Sequence, residues 1–512
     1  MAPSSRTLQE AVERRARQPG GEAAAGVASQ ARLKGGAISP FGLTALAIGL
    51  TSPALGLYAL WGSMQATAGP ISPLIFIAAM LVTLPTAISY AVLNGHAPSA
   101  GAASTWVWIA VGPAAGYQSG LLMTTYFVMS VIASPLLFAL FFNDLLHLLH
   151  IPLSGVQGLY VGVMAATIPT TISCLRGAKS STRATVVLMV IETAVMLALS
   201  MTILFVKARA PHGLNLAPFD IGNATSGLPG FWSAIMLGML AYCGFDVVSS
   251  AAEETRAPAK YLPRVILFTI LVITIFWAFN AWVLTLSTPD DQVREYARLG
   301  LPAVTLVAQN YWGWGGVAVD LTALTGVTAV YISGVQGSSR IIFALARHGL
   351  LPGVLAGLTG DARVPRKAIA SVLACTLLCD FATIAVLKNG VDSFNWWANA
   401  MVFFAVLTFI AVNVANGALF LRRAAPQFGA VKSLLIPAVG VVLNCLLLYE
   451  AFFSALWSMD MRKGKSIVVS CLVLLACEAA GVLWMCRSAP GLFRGGAPIG
   501  SDGAVPEPGR RK

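Results

Sequence analysis

The chain has 512 residues, of which 57% are apolar by a broad count and only 11% are charged. Its mean hydropathy is +0.76, whereas a soluble protein carries about 25% charged residues. These values exclude a soluble globular protein and predict a membrane protein, with spans of about 20 residues each. The net charge of +12 would fit a nucleic-acid partner, but the basic residues are scattered over loops and tails, which excludes one.

Twelve apolar segments are long enough to cross a membrane, which predicts an all-α polytopic fold. In chain order these spans are 41–67, 71–93, 117–142, 154–175, 182–206, 230–252, 263–286, 313–345, 367–388, 393–421, 432–456 and 466–486. A shorter apolar segment, 102–111, is expected to be interfacial or part of a bent third helix. The polar tails, 1–38 and 488–512, are predicted to be disordered, which leaves 39–487 as the transmembrane domain.

The basic residues also predict the orientation of the chain. With twelve spans both termini lie on one side, and 24 of the 33 Lys and Arg residues fall on that side against eight on the other. Basic loops remain in the cytoplasm. Both termini are therefore expected to be cytoplasmic, in a multi-pass protein of the plasma (inner) membrane. Residues 1–36 contain no apolar core of a signal peptide, so the first span is expected to direct insertion.

Two spans carry helix-breaking residues near their centres, and they are five spans apart. Span 1 contains Gly49, Pro53 and Gly56, and span 6 contains Gly244. Unpaired backbone groups at membrane depth are tolerated only where they line a cavity or contact a ligand. Broken helices in corresponding positions of two halves indicate the central site of a secondary transporter. The pattern predicts an inverted repeat of five plus five helices, each half beginning with a broken helix, with helices 11 and 12 appended.

A broken helix exposes free N–H groups at the start of its second half and free C=O groups at the end of its first half. The former suit a carboxylate and the latter an ammonium group, so the pair suits a small amino acid or amine. Amides would come from Ala54, Leu55 and Gly56, and carbonyls from Ala241 and Cys243. The complete predicted binding set is Ser52, Pro53, Ala54, Leu55, Gly56, Ala241, Tyr242, Cys243, Gly244, Phe245 and Asp246.

Within that set, three side chains have alternative roles. Tyr242 or Phe245 would offer an aromatic face to a cation. Asp246 follows the break and is expected to cap the second half-helix, with direct substrate contact as the alternative. The simpler interpretation of both breaks is a proline kink in span 1 and a packing glycine in span 6.

Glu192 is the clearest ionisable residue inside a span. It lies nine residues past Arg183, or roughly 14 Å into the membrane at 1.5 Å per residue. Burial disfavours its charged form, so we expect it to be protonated or paired. It is either a proton-coupling site or a protonated group bonded to a neighbouring helix. Four further carboxylates inside spans are assigned structural roles. Asp320 and Glu450 lie near the outer surface and are expected to contact water, whereas Asp380 and Glu478 lie deeper.

The sequence lacks the residues that a metal site or an ATPase would need. The five histidines lie in loops or at span ends, without the clustering that a metal site needs, and no phosphate-binding Gly-rich loop of the ATPase type is present. The eight cysteines are expected to be reduced packing residues; Cys375 and Cys379 share a helix face but have no further ligand nearby. We therefore predict no enzyme activity, no metal and no cofactor.

Three motifs resemble those of the amino acid–polyamine–organocation superfamily of transporters. Gly244-Phe245-Asp246, followed by 253–256, Pro258 and Pro263-Arg264, is similar to that family's sixth helix and following loop. Pro98 and Gly101, then Trp106, Gly112 and Gly116, resemble the segment leading into its third helix. Residues 340–352 resemble the motif after its eighth helix, with His348 in place of the usual Asp.

The resemblance implies an inverted repeat of five plus five helices that works by alternating access. Some proton-coupled members carry a Lys in span 5, where this chain has Glu192. The expected function is an amino acid permease in the lipid bilayer, driven by proton symport or exchange. The alternatives are a polyamine or organocation transporter of the same fold, a major-facilitator-type carrier, and a membrane sensor. A major facilitator would have a basic loop after span 2, yet residues 94–99 contain no Lys or Arg.

Overall fold

The computed structural model describes residues 36–488, except for 37, 152, 154, 177, 212, 226, 299–302, 348, 360–363, 423–428 and 454–461. The described residues are almost entirely helical and contain no strand, only two isolated β-bridges. The all-α prediction is thus confirmed. The predicted disordered tails, apart from Gly36, Ile38 and Ser488, lie outside the described residues, as do two of the loop histidines, His212 and His348.

Sixteen α-helices carry the labels used below. They are α1 (Pro40–Thr51), α2 (Leu55–Ala68), α3 (Ser72–His96), α4 (Ala103–Ala110), α5 (Pro113–Leu148), α6 (Gly155–Leu175), α7 (Ala178–Lys207), α8 (Gly227–Tyr242), α9 (Pro258–Ser287), α10 (Asp290–Arg298), α11 (Ala303–Trp312), α12 (Val317–Arg347), α13 (Arg366–Leu387), α14 (Gly390–Leu421), α15 (Ile436–Leu448) and α16 (Arg462–Ser488). A 3-10 helix, Phe245–Glu254, follows α8.

Eleven helical segments of the described chain are long and apolar enough to cross a membrane. They correspond to predicted spans 2 to 12, so the polytopic prediction holds. Span 1 is missing from that set because it consists of two short helices, α1 and α2, of 12 and 14 residues. Its interruption, which the sequence predicted, is what makes each half too short to cross by itself.

The segment at 102–111 forms a short helix of its own, α4. Within α4, Trp106 is fully buried and donates a hydrogen bond from Nε1 to the carbonyl oxygen of Ala97 at 2.7 Å. Gly112, with φ of 143°, turns the chain between α4 and α5, and Pro113 begins α5. A φ in this region suits glycine because it has no Cβ. The bend therefore separates α4 from the third span and turns it into the protein interior.

The central helices are distinguished from the outer ones by burial. In the most apolar 18-residue stretch of α14, 72% of the residues are buried within the protein, whereas in that of α16 only 17% are. Helix α5 packs against both α12 and α14, and α3 packs against α9. The apolar side chains that α16 exposes, such as Val473 at 58% and Trp484 at 65%, suit a lipid environment. The two broken segments are buried as well, for example at Ser52 and Phe245.

Two of the in-span carboxylates hold helices together, as their expected structural role requires. Asp320 accepts a hydrogen bond from Thr305 at 2.6 Å, which joins α12 to α11. It is fully buried, so the expectation that it contacts water at the outer surface is wrong. Glu478 accepts hydrogen bonds from Gln118, at 3.3 Å, and from Thr125, which joins α16 to α5. Glu450 is exposed.

Candidate substrate site

The first break lies at residues 52–54, between α1 and α2. Helix α1 ends at Thr51, and Ser52 takes a φ of 42°, a region that non-glycine residues seldom adopt. Pro53 has no N–H to leave unpaired, and its carbonyl oxygen accepts a 2.6 Å hydrogen bond from Nε1 of Trp277. A buried tryptophan of α9 therefore satisfies one of the carbonyls that the break exposes.

The side chain of Glu192 contacts the residues of this break directly. The Ser52 hydroxyl lies 3.0 Å from Oε1 and 2.9 Å from Oε2 of Glu192, and the backbone amide of Ala54 donates to the same carboxylate. Helix α12 approaches closely on the other side, because a Cβ on Gly326 would lie only 2.0 Å from Oε2. Glu192 is fully buried. The carboxylate thus lies at the start of the second half of span 1, where helix dipole and free amides favour negative charge.

The second break lies at residues 243–244. Helix α8 ends at Tyr242, Gly244 has a φ of 115°, and the chain continues as the 3-10 helix. The carboxylate of Asp246 is near the amides of Gly244 and of Asp246 itself, as a cap would be. It also accepts hydrogen bonds from Tyr90 at 3.2 Å and Tyr126 at 3.1 Å. Asp246 therefore ties the break to α3 and α5.

A cavity of about 90 Å³ lies between the two breaks, several times the volume that one water molecule needs. It is bounded by the ends of α1 and α8 and by α2, α5, α12 and α14. Its polar side chains are the hydroxyls of Thr51, Ser130 and Ser134 and the thiol of Cys243. None of the described residues that line it is acidic or basic. A charged group on a ligand here would therefore contact main-chain groups and uncharged polar side chains.

The predicted binding residues separate into two groups. Leu55, Gly56, Ala241 and Cys243 line the cavity. The other seven do not line it. Three of them form the first break, namely Ser52, Pro53 and Ala54. The remaining four lie around the second break, namely Tyr242, Gly244, Phe245 and Asp246. The structure therefore brings one short stretch from each broken span to a shared cavity.

The aromatic wall comes from a different helix than the sequence predicts. The Tyr242 hydroxyl points away from the cavity, bonded to Thr274 at 2.6 Å and to the carbonyl oxygen of Phe76 at 3.2 Å. Phe245 is fully buried among other aromatic rings. Phe394 of α14 lines the cavity instead. The sequence does not indicate Phe394, because nothing distinguishes one aromatic residue in an apolar span from another. The signal that the sequence does offer for this wall is the pair Ser130 and Ser134, two polar residues one turn apart in an apolar span.

Two ion pairs lie beyond the second break. Glu254 pairs with Arg340 at 2.6 Å, and Glu253 pairs with Arg347 at 2.8 Å. The amide of Ile38 donates to the carbonyl oxygen of Glu254 at 3.0 Å. The 3-10 helix is thereby fastened to α12 and to the segment preceding α1. These contacts lie at the end of the bundle where the N-terminal segment lies.

Broken helices around an uncharged cavity in a bundle of membrane spans are typical of a transporter. Comparison with known proteins gives its family. The profile of the amino acid permease family matches residues 38–477, so the chain belongs to that family. Over 428 residues it is 28% identical to the branched-chain amino acid permease BcaP of Bacillus subtilis, covering 81% of this chain and 86% of the relative.

Other similar proteins include further transporters. The methylthioribose transporter of Bacillus subtilis is 28% identical over 420 residues, covering 79% of this chain and 85% of that relative. Among solved structures, the Eremococcus coleocola manganese transporter, in complex with an aromatic bis-isothiourea substituted compound, superimposes with a TM-score of 0.54 at 12% identity. It covers 89% of this chain and 94% of the other. At that identity the likeness concerns the fold alone.

Proposed function

We propose that this permease carries a small neutral amino acid, held between the two breaks. The carboxylate would be met by the amides at the start of α2, including those of Leu55 and Gly56, and the ammonium group by the carbonyls at the end of α8, around Ala241 and Cys243. The observation that carries the proposal is the cavity lining, which joins these stretches without an acidic or basic side chain among its described residues. The apolar remainder suits an aliphatic side chain.

A polyamine or other organocation is the less favoured substrate. Such a cation would need carboxylates facing the cavity, because a buried charge is retained only when it is paired. The in-span carboxylates beside the two breaks, Glu192 and Asp246, are fully buried, bonded to hydroxyl groups and absent from the cavity lining. Branched-chain amino acid permeases among the relatives agree with the neutral substrate.

We further propose that Glu192 couples transport to protons. When ionised, its carboxylate competes with the substrate carboxylate for the positive end of α2, since it already holds the Ser52 hydroxyl and the Ala54 amide. Protonation removes that competing charge and lets the substrate bind. The titratable side chain that interacts with Glu192 is Tyr58, whose hydroxyl is bonded to Thr322 at 3.1 Å. No Lys or Arg of the described residues forms an ion pair with Glu192.

The proposal also covers the arrangement and orientation of the spans. Spans 1–5 and 6–10 form the two inverted halves, and α15 and α16 lie outside them. The distribution of Lys and Arg supports cytoplasmic termini in the plasma (inner) membrane. The ion pairs of Glu253 and Glu254 then close the cytoplasmic side and must open for release.

The test is uptake of radiolabelled amino acids into proteoliposomes, with and without an inward proton gradient. Neutral amino acids should compete for uptake and putrescine should not; the reverse order would refute the substrate proposal. Glu192→Gln should lose the acceleration by the proton gradient but retain exchange of labelled for unlabelled substrate. Glu478→Gln is the matched control, because that carboxylate is also inside a span and bonded to a hydroxyl. Gradient-driven uptake that survives in Glu192→Gln would remove it from coupling.

A further inference from the structure

Asp380 of α13 is a buried carboxylate that the proposed transport mechanism does not use. It is fully buried, and neither of its oxygens has a hydrogen-bond partner among the described residues. It takes part in none of their ion pairs and does not line the central cavity. A buried charge is retained only when it is paired or binds a metal ion. The other buried in-span carboxylates, such as Glu192 and Asp320, do have hydroxyl partners, so Asp380 differs from them.

The packing of α13 against α6 fixes what faces Asp380. Ile384, one turn further along α13, packs in a cluster with Leu159 and Val163 of α6. Thr167 follows Val163 by one turn, and its hydroxyl lies 3.3 Å from that of Tyr331 on α12. Tyr331 is within electrostatic reach of Asp380. Asp380, Thr167 and Tyr331 therefore occupy one level, where α6, α12 and α13 meet.

A further hydroxyl lies on the same face of α6. Thr170 follows Thr167 by three residues, which places both on one side of a helix. It is fully buried, and its hydroxyl has no hydrogen-bond partner among the described residues. Two independent groups on facing helices, a carboxylate and a hydroxyl, thus lack partners in the same region of the interior.

We propose that Asp380, Tyr331, Thr167 and Thr170 form a binding site for a monovalent cation, separate from the central cavity. The set offers five oxygen atoms and no nitrogen, and oxygen ligands suit hard cations. One carboxylate balances one positive charge. No group of three or more His, Cys, Asp or Glu side chains that would hold a multivalent metal occurs among the described residues.

Among the described residues, the other ionisable groups near Asp380 are Tyr331, Cys375 and Cys379. None of them supplies a positive charge, so the counter-charge must come from solution. Five oxygen atoms suit Na⁺, whereas a proton would neutralise the carboxylate alone and would need none of the three hydroxyls as ligands. The site joins the fourth, eighth and ninth spans, so occupancy would stabilise their packing.

The test is thermal unfolding of the purified full chain in detergent. NaCl is titrated against choline chloride at constant ionic strength, and the pH is varied separately in choline chloride. A ligand that binds only the folded state raises the unfolding temperature in a saturable manner. The wild-type temperature should rise with Na⁺, and Asp380→Asn should lose that response. A rise with falling pH and none with Na⁺ would show that Asp380 is simply protonated, which would overturn the proposal.

A second variant keeps the test informative if Asp380→Asn does not fold. Thr170→Val removes a hydroxyl that has no hydrogen-bond partner in the described part of the chain, so a purely structural Thr170 would leave the titration unchanged. If Thr170 is a ligand, the loss of its hydroxyl should shift the half-saturating concentration of the cation at least tenfold. Glu478→Gln, whose carboxylate already has protein partners, should respond as the wild type does. Sodium and pH responses that are the same in the wild type, Asp380→Asn and Thr170→Val would overturn the proposal.

Discussion

Substituting Gly56 by alanine tests how the first break is built. A Cβ at this position would lie 2.8 Å from Cε2 and Cζ2 of Trp277 and 2.9 Å from its Nε1. Trp277 has little room to move, because it is fully buried and packs against Tyr242 at 4.9 Å and Phe76 at 5.3 Å between ring centroids. The added methyl group therefore points at the indole and not into the cavity, although Gly56 also lines the cavity.

The cost has two parts. Adding a methyl group to a packed interior costs about 1–3 kcal/mol. Displacing Trp277 also breaks its 2.6 Å hydrogen bond to the carbonyl oxygen of Pro53, which contributes about 1 kcal/mol. We expect Gly56→Ala to destabilise the protein by about 2–4 kcal/mol and Gly56→Leu by more. Both should impair substrate binding, because a displaced Trp277 lets the break rearrange.

The assay is a double-mutant cycle on unfolding of the purified protein, with substrate binding measured on each variant. Trp277→Phe provides space, so the double variant should be more stable than the sum of the single effects by about 0.5–3 kcal/mol. Gly481→Ala in α16 is the matched control, because a Cβ there meets no atom within 4 Å. Strictly additive effects, or near-normal substrate affinity in Gly56→Leu, would refute this account of the break.

Three further predictions concern the surroundings of the cavity. Ser52→Ala removes both hydroxyl contacts to the buried Glu192 and should cost about 1–3 kcal/mol in unfolding; unchanged stability would contradict the contact. Glu254→Gln leaves Arg340 buried without its charged partner and should cost about 3–5 kcal/mol, whereas Arg340→Met with Glu254→Leu should recover most of it. Phe394→Ala enlarges the cavity, so bulkier amino acids should compete better for uptake; an unchanged order would exclude Phe394 from substrate contact.

The sequence predicts the helices and both breaks because each depends on local chemistry. Pro53 lacks an N–H, and Gly244 accepts a φ of 115° without a Cβ penalty. Ser52 is different: its φ of 42° is unusual for a serine, and nothing in the residue type announces it. Its strained backbone coincides with the hydroxyl's contact to Glu192, a partner 140 residues away that no local rule supplies.

The cavity wall is harder to predict, for a physical reason that concerns membrane helices generally. In a soluble protein one apolar stripe marks the buried face, but in lipid the outer face is apolar as well, so periodicity no longer identifies the interior. A shift of one residue turns a side chain by about 100° around the helix. That is why Ala241 and Cys243 line the cavity while Tyr242, between them, faces Thr274. Unpartnered polar atoms, as on Asp380 and Thr170, then become the more informative signal, and only the packed structure reveals which polar atoms lack partners.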